Sequence, residues 1–204
     1  MRILLTGFEP FLGHALNPTE RIVTELGGKN INDVEIIGEV LPVAFSTSAS
    51  RLIELYEKHQ PDAVIMLGLA AGRNRITPER VAINCNDGEV DNEGQQQQDA
   101  PIKAEGPTAY FSTLPIRKMV TALTEANIPA TISNTAGTYL CNNIMYQMLD
   151  YLNERNLNCP AGFVHIPASH ELALTNSQLP SMSHEELVRA VEVVVTTIGQ
   201  NINK

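Results

Sequence analysis

The chain has 204 residues, with 14 Lys and Arg against 23 Asp and Glu, for a formal net charge of −9. That balance lacks the basic footprint of a nucleic-acid binder and the polybasic segment that holds a protein on an anionic membrane. A 43% hydrophobic share excludes wholesale disorder, and no apolar run reaches the ~18 residues of a membrane helix.

In chain order, the opening Met1–Phe11 has too short an apolar run for a secretory signal. It reads as a strand at Arg2–Thr6, and further runs rich in Val and Ile follow at Val34–Leu41, Ala63–Leu69, Ala130–Ser133 and Gly162–Ile166. Short, non-alternating runs of this kind are strands buried on both faces. Helical patterns lie between them. The first is capped by Asn17 with Pro18 at its first position and stops at Gly27-Gly28. A second starts among Ser46, Thr47 and Ser48 and ends before Pro61; a third begins at Pro115. The fourth runs from about Cys141, and the last opens with the capping box Ser183-His184-Glu185-Glu186. Strands alternating with helices predict an α/β fold: one three-layer α/β/α domain over residues 1–204 with a mostly parallel central sheet. The polar segment Asn86–Pro107 breaks the pattern. It reads either as a mobile surface loop or as a protruding hairpin that meets another subunit.

Gly68-Leu69-Ala70-Ala71-Gly72 follows a strand but matches neither the dinucleotide fingerprint nor the P-loop. The three cysteines, Cys85, Cys141 and Cys159, are odd in number and lack paired spacing, so neither a disulfide framework nor a zinc site is expected. A reduced, cytoplasmic setting is expected instead.

Cys141 falls where a strand and a small-residue turn lead into a helix. The partial positive charge and free N–H groups of a helix N-terminus favour a thiolate and an oxyanion. A packed apolar cysteine is the commoner fate of such a residue, and position alone leaves both readings open. Cys85 and Cys159 read as packing residues. A thiol nucleophile needs a base and an orienting partner. His165 ends the last predicted strand, which places it on the same sheet edge as Cys141. His165 and His170 make a weak metal pair with no third ligand. Glu79 beside Arg80 reads by itself as a solvated charge.

Taken together, Thr6–Phe11, Asn17-Pro18, Gly68–Asn84, Asp91–Gly94, Gly106-Pro107, Thr135–Cys141 and His165–Pro167 resemble the pyroglutamyl peptidase I family, over nearly the whole chain. The resemblance implies a cofactor-free cytoplasmic cysteine exopeptidase, often a homotetramer, that removes an N-terminal pyroglutamyl residue from peptides. It implies Cys141 as nucleophile, His165 as general base and acid, and Glu79 as the residue orienting His165. It also places Phe8, Phe11, Asn17 and Tyr139 at the substrate pocket, although capping alone accounts for Asn17 and core packing for the two phenylalanines. Two positions depart from the family pattern. Leu69 stands where Gln is common, and Glu89 where Arg is usual, in a loop shorter by one residue. A catalytically weak lactam- or peptide-binding protein on the same scaffold is therefore the second reading, and a nucleoside-handling enzyme the third.

Overall fold

The computed structural model describes residues 1–202. Its strands and helices, in chain order, are β1 (Arg2–Phe8), α1 (Pro18–Leu26), β2 (Asn30–Ile31), β3 (Val34–Leu41), α2 (Ser48–His59), β4 (Ala63–Leu69), β5 (Thr77–Pro78), β6 (Val81–Ile83), β7 (Ala109–Phe111), α3 (Ile116–Glu125), α4 (Leu140–Glu154), β8 (Ala161–Ile166), β9 (Ala168–Ser169), α5 (His170–Ala173), β10 (Ser181–Met182) and α6 (His184–Ile202). The main sheet has the order β2-β3-β1-β4-β8-β5. Its four central strands are parallel, and the short β2 and β5 run antiparallel at the two edges.

The central strands read as continuous apolar runs because both of their faces are covered. Every residue of β4 and β8 is buried. Leu5, Ile65, Leu67, Val164 and Ile166 pack against α1, α3 and α6. Leu4, Val64, Met66 and Phe163 point the other way, into a second core with α2 and α4. Successive strand residues thus serve opposite layers. The arrangement is the α/β fold with a mostly parallel sheet that the alternation of elements predicts.

Helix starts follow the chemistry read from the sequence. Asn17 Oδ1 accepts the Thr19 N–H at 3.1 Å, and Ser183 Oγ accepts the Glu186 N–H at 3.2 Å. One predicted strand is not formed as such. Ala130–Ser133 lies alongside the Ile76–Glu79 stretch through two isolated parallel bridges, Ile76 with Ala130 and Glu79 with Ser133. Pro78 sits between those bridges and has no N–H to give, so the ladder cannot close into a regular strand pair.

The Asn86–Pro107 segment differs from a free surface loop, because much of it folds back onto its own chain. Asn86 and Ala100 exchange backbone hydrogen bonds of 2.7 and 3.0 Å. The buried Asp91 carboxylate accepts the N–H groups of Phe45, Glu93 and Gln95 at 2.8, 2.9 and 2.8 Å. Asn92 Nδ2 donates to Glu9 Oε1 and to the Pro10 carbonyl at 2.8 and 2.9 Å. Asp87 is joined to Thr138 in both directions, at 2.8 and 2.7 Å. Part of the loop is thereby fixed between the end of β1 and the turn that leads into α4. Its polar composition reflects side chains spent on backbone groups rather than on solvent alone.

Candidate active site

Cys141, Gly68, His165 and Glu79 meet at the C-terminal end of the sheet, where ligands bind in open α/β folds. Gly68 of β4 is the direct register partner of His165 of β8. Cys141 occupies the second position of α4, on the same sheet face as Phe163. A Cβ built on Gly68 would lie 2.9 Å from the Cys141 Sγ and 2.6 Å from the Phe163 ring. The thiol therefore rests directly on the backbone of Gly68, beside the strand position of His165. Phe163, two residues before His165, supports the imidazole with ring centroids 4.8 Å apart.

Polar side chains anchor the start of α4. The buried Asn142 accepts the Ile83 N–H at 2.9 Å and donates to the carbonyls of Ile83 and Cys85, each at 2.9 Å. Asn143 Nδ2 donates to Asn86 Oδ1 at 2.9 Å. Tyr139, the N-cap residue, makes no side-chain cap bond. The helix N-terminus is thus held laterally without its own N-cap side chain covering the first N–H groups.

Glu79, fully buried just after β5, orients the histidine. His165 Nδ1 lies 2.7 Å from Glu79 Oε1. Because a carboxylate accepts, the proton sits on Nδ1 and Nε2 is left as the basic nitrogen. The same Oε1 accepts Arg73 Nη1 at 2.6 Å. Arg80, next to Glu79 in sequence, turns away and donates to Asn134 Oδ1 at 2.7 Å.

Burial pushes the Cys141 thiol up, to about 12, and the negative charge of Glu79 adds to this; Arg73 and the thiol's own backbone N–H act in the opposite direction. Burial and the helix N-terminus thus act on the thiol in opposite directions. Burial also lowers the His165 pKa from its ordinary value, opposed by the bond and charge of Glu79 and assisted by Arg73. At neutral pH the resting pair is a thiol and a neutral imidazole.

A shallow apolar recess opens over the sulfur, lined by Phe8, Phe11, Val43, Leu69, Tyr139, Leu140 and Cys141. Phe11 stacks on Tyr139 at 6.4 Å, and Phe45 meets Tyr139 edge-on at 5.4 Å. Phe8, Phe11 and Tyr139 all line this recess. Asn17 is not among the lining residues; it is buried at the cap of α1 and donates to the Glu9 carbonyl at 3.0 Å, which steadies the loop carrying Phe11. Leu69 forms part of the wall, and Glu89 is exposed on the loop whose Val90 carbonyl receives the Tyr139 hydroxyl at 3.4 Å. Cys85 and Cys159 lie outside the recess lining. Burial pushes the Cys159 thiol up to about 12. Among the described residues no group of three or more His, Cys, Asp or Glu could hold a metal ion.

Sequence reading alone missed Gly68 and Arg73. Gly68 belonged to a segment that carries the resemblance and fails as a phosphate loop, and neither reading gives the glycine itself a role. Arg73 was one cation among several on a loop, and only the fold turns it toward Glu79.

The geometry has counterparts among known proteins. The family model described as pyroglutamyl peptidase matches residues 1–201. The chain belongs to the pyroglutamyl peptidase family. It is 56% identical to a pyrrolidone-carboxylate peptidase of Oceanobacillus iheyensis, over 95% of this chain and 97% of that relative. It is 54% identical to one of Halalkalibacterium halodurans, over 95% of this chain and 96% of that relative. Among solved structures it is similar to pyrrolidone carboxyl peptidase from the hyperthermophile Pyrococcus furiosus, with a TM-score of 0.95 and 42% identity, covering 99% of this chain and 100% of that one. Family membership supports the peptidase reading over a lactam-binding or nucleoside-handling protein on the same scaffold.

Gly68→Ala tests whether the sulfur needs a bare backbone beneath it. The new methyl group meets Phe163 and the sulfur well inside contact distance. The reaction rate of Cys141 with iodoacetamide should change, and turnover should fall by about 100-fold, the loss expected of a 1 Å misplacement. Unchanged alkylation and turnover would show that the thiol is positioned independently of Gly68.

Proposed function

We propose that this chain is a cysteine exopeptidase that hydrolyses the amide bond after an N-terminal pyroglutamyl residue. The observation that carries the reading is a thiol seated over Gly68, the register partner of a Glu79-oriented histidine, at the foot of an apolar recess. The five-membered lactam is small, flat and uncharged, which suits a recess walled by Phe8, Phe11, Leu69 and Tyr139. A free N-terminal glutamate would bring charge into the same space without a partner, at a large desolvation cost. Leu69 offers no amide to the lactam, so its C=O and N–H are left to backbone groups.

In the proposed reaction Cys141 is the nucleophile. Its proton passes to His165 Nε2 as the sulfur adds to the pyroglutamyl carbonyl carbon. The N–H groups at the start of α4 hold the oxyanion. The C–N bond then breaks, and His165 returns the proton to the departing amine. Water, deprotonated by His165, attacks the thioester, releasing pyroglutamate and restoring the thiol. Glu79 keeps the imidazole in the required tautomer throughout. The scheme uses protein groups alone and needs no cofactor.

No helix among the described residues is long and apolar enough to cross a membrane. A cytoplasmic homotetramer is part of the same proposal. Self-association is supported by the outer face of the β6–β7 ribbon, where Phe111 is 68% exposed beside Val81 and near Ile83. Light scattering should return a mass four times that of the chain; a monomer would reject the tetramer.

The activity is tested with a fluorogenic pyroglutamyl amide. Wild-type protein should release the fluorophore, iodoacetamide should abolish the release, and Cys141→Ser should lose at least about 1,000-fold while remaining folded. Full activity in that variant would remove Cys141 from the reaction.

The rate should also depend on pH in a defined direction. His165 must be neutral to accept the thiol proton, and its pKa lies below the ordinary 6.5. Glu79 and Arg73 are the charged groups that act on it. The acid limb of kcat/KM should therefore fall below pH 6.5, with activity lost as the pH drops through it. A limb above 6.5 would contradict a desolvated base.

A further inference from the structure

We propose that Arg73 is a positioning residue of this reaction, acting on His165 and Cys141 through Glu79; the inference rests on the peptidase reading above. Arg73 lies on the loop after β4, and its guanidinium joins the β5 stretch to the turn before α4. Nη1 donates to Thr77 Oγ1 and to Glu79 Oε1, each at 2.6 Å, and Nη2 donates to the Thr135 carbonyl at 3.3 Å, on the turn leading to Cys141. Thr77 is itself buried and is the register partner of His165 across the β5–β8 pair. One planar fork thus ties together the strand beside the histidine, the carboxylate behind it and the approach to the nucleophile.

Glu79 needs that partner for a physical reason. Its carboxylate is fully buried, and Oε2 has no protein donor among the described residues. Arg73 and His165 are its ion-pairing partners there, both on Oε1. His165 is neutral in the resting pair, so Arg73 supplies the only permanent positive charge. A buried carboxylate deprived of its counter-charge is strongly destabilised and takes up a proton or moves. Either response removes the fixed acceptor that holds His165 Nδ1–H. Arg73 also lowers the pKa of the imidazole and of the thiol across the same site. The guanidinium touches neither the recess nor the sulfur by hydrogen bond, so its effect belongs to the proton transfer rather than to substrate binding.

The test compares Arg73→Met, Arg73→Lys, Glu79→Gln and the Arg73→Met/Glu79→Gln double variant, using the fluorogenic pyroglutamyl amide and a thermal melt for each. Wild-type activity with an inactive Cys141→Ser protein first establishes the peptidase reading independently. Arg73→Met should lower kcat at least about tenfold with KM little changed. Its acid limb in kcat/KM should move to lower pH, because a protonated or displaced Glu79 no longer raises the imidazole. Arg73→Lys, which keeps the charge but not the fork, should leave the limb at the wild-type pH. The double variant should be no slower than Glu79→Gln alone, since a neutral amide needs no counter-charge. Arg73→Gln takes the place of Arg73→Met if the latter does not fold. Wild-type kcat in the charge-free variant, an unmoved acid limb, or losses that add fully to those of Glu79→Gln would overturn the proposal.

Discussion

The thiol of Cys141 rests on a strand position that has no side chain, and the rest of the site is arranged around that contact. A helix crossing a sheet is normally held off by the side chains beneath it. At Gly68 that spacer is missing, so the sulfur reaches the backbone next to His165. Asn142 and Asn143 fix the start of α4 against β6 and the following loop, and Phe163 closes the floor from β8. The position of the nucleophile is therefore set by backbone packing, which deforms far less than a hydrogen bond between two long side chains.

Burial then dictates the electrostatics. The recess keeps water from the sulfur and the imidazole, which favours their neutral forms. The one charge kept inside, on Glu79, is balanced by Arg73 and directed at a single imidazole nitrogen. An uncharged recess over a neutral pair suits a substrate ring that brings no charge of its own.

Much of this was legible in the chain. The apolar runs marked the central strands because both sheet faces are covered, so residue type alone recorded their burial. Asn17-Pro18 and Ser183 marked helix starts because capping is a local exchange between a side chain and the nearest N–H groups. Ala130–Ser133 looked like another strand, but pairing is decided by the neighbour, and that neighbour contains Pro78. The Asn86–Pro107 segment looked like a free loop because its tethers, from Asp91, Asn92 and Asp87, run to residues far away in sequence. The family signatures carried Glu79 and His165, which composition and spacing alone could not distinguish from a surface charge and a core histidine.

By itself the sequence determined the fold class and the helix ends and singled out Cys141, His165 and Glu79 as candidates, because those rest on local propensity and on recognisable segments. Tertiary structure alone decided that Gly68 is the seat of the sulfur and that Arg73 rather than Arg80 pairs with Glu79. Each of these depends on distance and on exclusion of water between segments well separated along the chain, and neither quantity exists until the sheet, the helix and the loop have packed.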